Sequence, residues 1–421
     1  MQKLIINGKR PLRGGVTVSG SKNAALPILA ATLLTDESCE IHNVPQLRDT
    51  RTMFDLLRSL GKDVEVSHNG TVLVRAGGPL KSVAHYDMVS TMRGSFCVLG
   101  PLLAKLRQAK VSLPGGCVIG VRPVDLHLKG LSALGADFEV ENGYVHGRTS
   151  GLVGKQIYLG GVFGSSVLAT ANVLMASVLA EGTTVIQSAA CEPEIGDLGE
   201  CLNAMGAKID GHGTPIIRVT GVKEMDGVSY TVGPDRIEAG SFVLLAAATK
   251  SDIVVHNVNY GHLLVLIDKL EEYGMKFRHE NGSLYVECPH QGKPVSVTTY
   301  PYPGFPTDLQ AQFMALMAVT PGVSLVVDKV FPDRFIHIAE LNRMGANIRR
   351  EGNAAVIEGV KEIYGAPVMA SDLRASAALV IAALAANGTT EINRVYHLDR
   401  GYEDLDQKLL GLGARISRMD E

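Results

Sequence analysis

One thiol in this chain lies where it could do chemistry. Cys117 sits in PGGCVIGVRPVDL, residues 114 to 126, with Arg122 and Asp125 following close behind it. Gly115 and Gly116 permit positive φ or a close backbone approach to a ligand, and Pro114 stiffens the entry to the turn. A thiol beside a fixed positive charge is biased toward thiolate, the form that attacks carbon, whereas delivering a proton needs the thiol. A lone cysteine can equally be a small apolar filler, so its meaning depends on the other charged residues.

Those residues recur at two kinds of place, the starts of two sets of predicted helices. Lys22 and Asn23, Arg93, Ser165 and Ser166, Arg236 and Glu238, Asp308, and Arg374 open helices that are apolar on nearly every side. Arg48, Arg122 with Asp125, Glu194, Arg334 and Arg400 open amphipathic ones. A helix N-terminus already presents unpaired N–H groups and the positive end of the macrodipole. Adding Lys or Arg there is costly unless an anion is bound, and guanidinium groups grip phosphate and carboxylate in bidentate fashion. Singly, each of these charges reads as a solvated surface group. Together, Lys22, Arg93, Arg122, Arg334, Arg374 and Arg400 predict a site for a ligand carrying several negative charges.

The elements that position them repeat. LRSLG, LSALG, LNAMG, LEEYG, LNRMG and LLGLG end at Gly61, Gly135, Gly206, Gly274, Gly345 and Gly413, spaced about 70 residues apart, as expected of tandem structural units. Each unit reads as a β-rich run, a buried helix such as ASAALVIAALAA, a second run such as CEIHNV and an amphipathic helix closed by the glycine. Two short strands around a polar turn complete it, as in KFRHENGSLYVE. Six βαβαββ units predict an α/β protein of two lobes, three units per lobe. The join falls near Gly233 and Pro234, and the functional cleft between the lobes.

Composition removes other classes. The chain has 421 residues, no tryptophan, 5% aromatic residues and a formal charge of −3, which argues against a nucleic-acid partner. MQKLIINGKRP, residues 1 to 11, lacks the apolar core of a signal peptide, and no apolar run reaches the length of a membrane span, which predicts a cytoplasmic protein with no membrane partner. Six scattered cysteines without ligand spacing predict reduced thiols, no metal and no cofactor. GVTVSGSK, residues 15 to 22, fails as a P-loop because Ser21 separates Gly20 from Lys22, and no GxGxxG follows a strand.

SGSKNAALP, TMRGSF, PGGCVIGVRPVDLH, EPEIGDL, GPDRIEAGSF, FPTDLQAQFMAL, DRFIHIAELNRMGA, SDLRASAALVIAAL and YHLDRGYEDLDQKL together resemble the UDP-N-acetylglucosamine 1-carboxyvinyltransferase family of enolpyruvyl transferases, nearly end to end. The resemblance implies a two-lobed inside-out α/β barrel built from six repeats. One lobe would be residues 22–232, and the other residues 1–21 plus 233–421. It implies transfer of the enolpyruvyl group of phosphoenolpyruvate to the 3′-hydroxyl of UDP-N-acetylglucosamine, the committed step toward peptidoglycan, by a monomer.

The resemblance also distributes roles. Cys117 would protonate the methylene carbon or add covalently to phosphoenolpyruvate, and Asp308 would be the general base; Asp at a helix mouth also reads as an N-cap, and the two roles are compatible. Lys22, Arg122 and Arg400 would hold phosphoenolpyruvate, with Arg93, Arg334 and Arg374 nearby. Asn23 and Val330 would lie along the sugar. Arg122, Pro123, Val124, Asp125 and Leu126 would follow the uridine and diphosphate, joined by Ser166 and Val167. The chain departs from the family in GGVFGSSVLATAN, where the loop is lengthened and Leu168 stands at a position the family gives to glycine. The alternatives are transfer to shikimate 3-phosphate, whose enzymes lack the PGGC loop, and a non-catalytic sugar-nucleotide binder.

Overall fold

The computed structural model describes residues 2–115 and 124–420. They fall into two compact units, one made of residues 2–19 and 234–420, the other of residues 20–115 and 124–233. Cys117, Arg122 and Pro123 lie outside the described residues.

The first unit holds three four-stranded sheets. One orders strands 297–299, 322–328, 354–359 and 347–351, with the first pair parallel and the rest antiparallel. A second follows the same plan with Gly15–Thr17 as its parallel edge against Ile253–His256. In the third, Gln2–Asn7 lies antiparallel between Thr389–Asn393 and Arg415–Asp420. Leu4 and Ile6 are its inward residues, both fully buried, so alternation of side chains fixes which face meets the core.

The second unit repeats the scheme. Its sheets run 83–84, 108–112, 144–148, 137–141 and 156–158, 183–187, 216–220, 208–210, while Val228–Thr231 supplies the parallel edge beside Cys39–His42.

Under the sheets lie six helices, here α1 (Lys22–Ala31), α2 (Leu99–Leu106), α3 (Val167–Ser177), α4 (Arg236–Thr249), α5 (Gln310–Ala318) and α6 (Leu373–Ala385). Their sequences are apolar all round, so each is stable only when enclosed. In the first unit α4, α5 and α6 pack pairwise against one another, and in the second α3 packs against α2 and α1. Each unit has its own continuous apolar core.

The amphipathic helices lie outside these and end as their sequences require. All six glycines of the repeated signature have positive φ, from 87° at Gly413 to 114° at Gly274. At five of them the next residue's N–H reaches back to close the turn, as Ala346 does to Leu341. A side chain there would force an L-residue into the left-handed region, which is why only glycine recurs. Among the described residues no helix is long and apolar enough to cross a membrane.

Candidate active site

Asp308 lies in the short turn Thr307–Leu309 that leads into α5. Aspartate at such a point commonly caps the helix, but here the cap positions are Pro306 and Leu309 and neither offers a side-chain bond. The Asp308 carboxylate faces two guanidinium groups instead. Arg334 Nη1 donates to Oδ1 at 2.7 Å, and Arg374 Nη2 donates to Oδ2 at 3.0 Å. The N-cap reading is therefore corrected by the ion pairs.

The two arginines are almost wholly enclosed, with 4% and 1% of their surface exposed, while 26% of the Asp308 side chain is open. Two buried positive charges thus share one carboxylate, and burying an uncompensated charge costs several kcal/mol or more. Arg374 Nε and Nη1 and Arg334 Nε find no hydrogen-bond partner among the described residues. Burial works against the Arg374 charge, but Asp308 and its other neighbours outweigh it and hold the pKa above the ordinary value. Two guanidinium groups on one carboxylate leave the cluster with a net positive charge.

Asp328, fully buried and not singled out by the sequence, sets this arrangement. Its Oδ1 accepts from Thr299 at 2.8 Å and from the N–H groups of Val330 and Phe331 at 2.9 and 2.7 Å, while Oδ2 accepts from Thr307 at 2.7 Å. One carboxylate therefore fixes both the Val330 turn and the residue before Asp308. Arg400 closes the turn Val395–Arg400 of the same unit. Its neighbour Asp399 is gripped by both terminal nitrogens of Arg418, at 3.0 and 2.8 Å.

In the second unit, Lys22 is the first residue of α1, behind the N-cap Ser21. Its ammonium lies 3.4 Å from Asp49, and both are buried. Asn23 follows it, half-buried. Lys22, Arg334 and Arg374, predicted to face an outside anion, each have a protein carboxylate within reach. For the two arginines that compensation is incomplete.

Arg93 opens the turn Arg93–Val98. Its charge is felt by His127, whose pKa is pushed down to about 3, chiefly by burial and then by Arg93. Asn172 connects these parts: its amide nitrogen donates to Phe96 O at 3.0 Å and to His127 Nδ1 at 2.8 Å, and its Oδ1 accepts from Gly100 N at 2.8 Å. His127 is therefore a neutral anchor of the helix Asp125–Ala133, which carries Asp125, exposed, and Leu126 behind Val124.

Ser166 caps α3 by accepting from Ala169 N at 3.4 Å, and Val167 is the first residue of that helix. The loop before it closes on itself through paired Gly161–Gly164 backbone bonds of 2.8 and 3.1 Å, leaving Val162 and Phe163 exposed. The structure brings together Asp308, Arg334 and Arg374, and separately Lys22 with Asp49. Asp49, His127, Asn172 and Asp328 escaped the sequence reading because each works through a partner distant in sequence.

Two sheets-over-helices units with this charged cluster have the fold of an enolpyruvyl transferase. The chain matches the enolpyruvyl transferase NikO of Streptomyces tendae with a TM-score of 0.90 over 99% of both chains, at 23% identity. EPSP synthase of Acinetobacter baumannii matches over the full length of both chains with a TM-score of 0.76 and 19% identity. The family model for EPSP synthase (3-phosphoshikimate 1-carboxyvinyltransferase) covers residues 6–409.

Among curated relatives, UDP-N-acetylglucosamine 1-carboxyvinyltransferase 2 of Carboxydothermus hydrogenoformans is 52% identical over the whole of both chains. The UDP-N-acetylglucosamine 1-carboxyvinyltransferase of Methylacidiphilum infernorum is 51% identical over 100% of this chain and 99% of its own. The chain belongs to the UDP-N-acetylglucosamine 1-carboxyvinyltransferase family of enolpyruvyl transferases.

Proposed function

We propose that the chain transfers the enolpyruvyl group of phosphoenolpyruvate to the 3′-hydroxyl of UDP-N-acetylglucosamine and releases phosphate. The observation that carries this is the partly open Asp308 carboxylate held between the buried guanidinium groups of Arg334 and Arg374. The reaction is an addition followed by an elimination. The hydroxyl oxygen bonds to C2 of phosphoenolpyruvate as its own proton leaves and another reaches C3, giving a tetrahedral intermediate. That intermediate then loses a C3 proton and phosphate to form the enol ether.

Asp308 is the candidate for the base that takes the hydroxyl proton, and Cys117 for the group that protonates C3 or adds to C2. Lys22, Arg122 and Arg400 would bind the phosphate and carboxylate of phosphoenolpyruvate, with Arg93, Arg334 and Arg374 stabilising the charge that builds at the reacting centre. Asn23 and Val330 would meet the sugar. Arg122 to Leu126, with Ser166 and Val167, would meet the uridine and diphosphate. In this reading the fold is an inside-out α/β barrel pair of six repeats, with residues 22–232 as one lobe and residues 1–21 plus 233–421 as the other. Both lobes serve one reaction, in a cytoplasmic monomer without cofactor.

The family model's own description favours shikimate 3-phosphate as acceptor, but relatives near 50% identity act by name on UDP-N-acetylglucosamine, whereas the solved EPSP synthases are 19% identical. Phosphate release from phosphoenolpyruvate, measured with each acceptor in turn, separates the two. Release is expected with UDP-N-acetylglucosamine and abolished in Cys117→Ala. Release with shikimate 3-phosphate alone would overturn the reading.

A further inference from the structure

Arg374 does not rest on Asp308 alone. Its guanidinium carbon lies 5.5 Å from the centre of the Tyr402 ring, and both residues are buried, at 1% and 2% exposure. The Tyr402 hydroxyl hydrogen-bonds to Arg374 and to two further groups. Ser241 Oγ is 2.8 Å away and Gln312 Nε2 is 3.0 Å away.

The direction of each bond follows from donor counting. Ser241 spends its one proton on Ile237 O at 2.7 Å, one turn back along α4. Tyr402 must then donate to Ser241 and accept from Gln312. The other amide proton of Gln312 goes to the backbone oxygen of Asp308 at 2.8 Å. Burial above all raises the pKa of the Tyr402 phenol, so it keeps the proton this chain requires.

From these contacts we infer that Tyr402 is a positioning residue for the transfer reaction: its ring is the platform that orients Arg374, and its hydroxyl, through Gln312, ties that platform to the main chain of Asp308. The four residues come from three helices and a turn: Ser241 on α4, Gln312 on α5, Arg374 on α6, and Tyr402 just after Arg400. A buried tyrosine that only filled space would need one hydroxyl partner. Here the hydroxyl accepts from Gln312, which also donates to the backbone of Asp308 and lies 3.3 Å from Ser241 Oγ, and it is hydrogen-bonded to Arg374 as well. A chain of this kind converts a long, rotamer-rich arginine into a fixed anion receptor.

This inference rests on the enolpyruvyl-transfer reading, so its test needs one arm that does not depend on turnover. Binding of inorganic phosphate, followed by calorimetry, supplies that arm, and steady-state kinetics with phosphoenolpyruvate and UDP-N-acetylglucosamine supplies the other. Tyr402→Phe keeps the ring and removes the tether. It is expected to raise the KM for phosphoenolpyruvate and weaken phosphate binding by about tenfold each, the scale of one lost buried hydrogen bond. The KM for UDP-N-acetylglucosamine should stay within about twofold. Tyr402→Leu removes the platform too and should be worse in both readouts. Ser241→Ala, at the far end of the relay, should show a weaker version of the Phe effect. Should Tyr402→Phe lower Tm while leaving phosphate affinity and both KM values unchanged, Tyr402 is only core packing and the inference falls. If the wild type releases no phosphate but Tyr402→Phe still weakens phosphate binding, the reaction assignment fails while the positioning role stands.

Discussion

The two units carry the same tripeptide at matching places, His42-Asn43-Val44 in one and His256-Asn257-Val258 in the other, and they use it in the same way. Both asparagines take positive φ, 57° and 58°, and both donate their side-chain amide to a backbone oxygen at 2.8 Å, Val232 for Asn43 and Val18 for Asn257. His42 Nδ1 meets Thr71 and His256 Nδ1 meets Ser283, across the same strand pairing. Yet the helix mouths served by these frames hold opposite charges. At α1 a buried lysine leans on Asp49, whereas at α4 a buried carboxylate, Glu238, accepts from Lys408 and from Ser19 N. The frame is duplicated and the chemistry is not. Function has been written onto the helix mouths without disturbing the backbone that presents them.

The largest effect should come from the mouth that departs furthest from a structural cap. Asp308→Asn keeps the shape but leaves the buried Arg334 and Arg374 without their carboxylate, so Tm should fall, while kcat, measured where the variant is still folded, should fall by about a thousandfold if Asp308 removes a proton. Near-normal kcat in that variant would return Asp308 to a structural role.

Next in size is a pair of opposed pH dependences. Glu238 has its pKa raised to about 7, by burial first and by Asp235, with Lys408 and Ser19 N opposing. A carboxyl whose folded value exceeds its unfolded one binds more protons when folded, so its contribution is lost as pH rises from the ordinary carboxylate range through about 7. The stability difference between wild type and Glu238→Gln should therefore shrink against the wild type across that window by roughly 3 kcal/mol. His127 behaves in the reverse sense. Its folded pKa lies near 3, below its unfolded value, so stability is lost as pH falls from the ordinary histidine range toward 3, by about 4 kcal/mol relative to His127→Gln. Urea unfolding at a series of pH values measures both, and slopes of the same sign would contradict the contrast.

Smallest should be the asparagines. Asn43→Gly and Asn257→Gly both tolerate the positive φ and lose one side-chain bond, so each should cost about 1 kcal/mol. Unequal costs in equilibrium unfolding would show that the two frames are not equivalent.

Much of this was legible beforehand because it is local. Six glycines at helix ends, helices apolar on every side and short paired strands each follow from a few adjacent residues. So does the placing of Lys22, Arg93, Asp308 and Arg374 at helix or turn starts, whereas Arg334 lies three residues before the helix His337–Arg343. What stayed hidden depends on partners far apart in the chain. Asp308 meets Arg334 and Arg374 across 26 and 66 positions, and Tyr402 meets Gln312 across 90. The seating of Gln2–Asn7 between strands 389–393 and 415–420 leaves no local trace either, since alternation marks a strand but not its neighbours. Nothing local shows either that Asp49 reaches Lys22.

The most direct test of the account is the reaction run in heavy water with phosphoenolpyruvate and UDP-N-acetylglucosamine, the product read by NMR. Addition followed by elimination predicts an enol ether on the sugar 3′-oxygen with solvent deuterium in its methylene group, because C3 passes through a methyl group. An ether free of deuterium would contradict the mechanism, and no ether on UDP-N-acetylglucosamine would contradict the function itself.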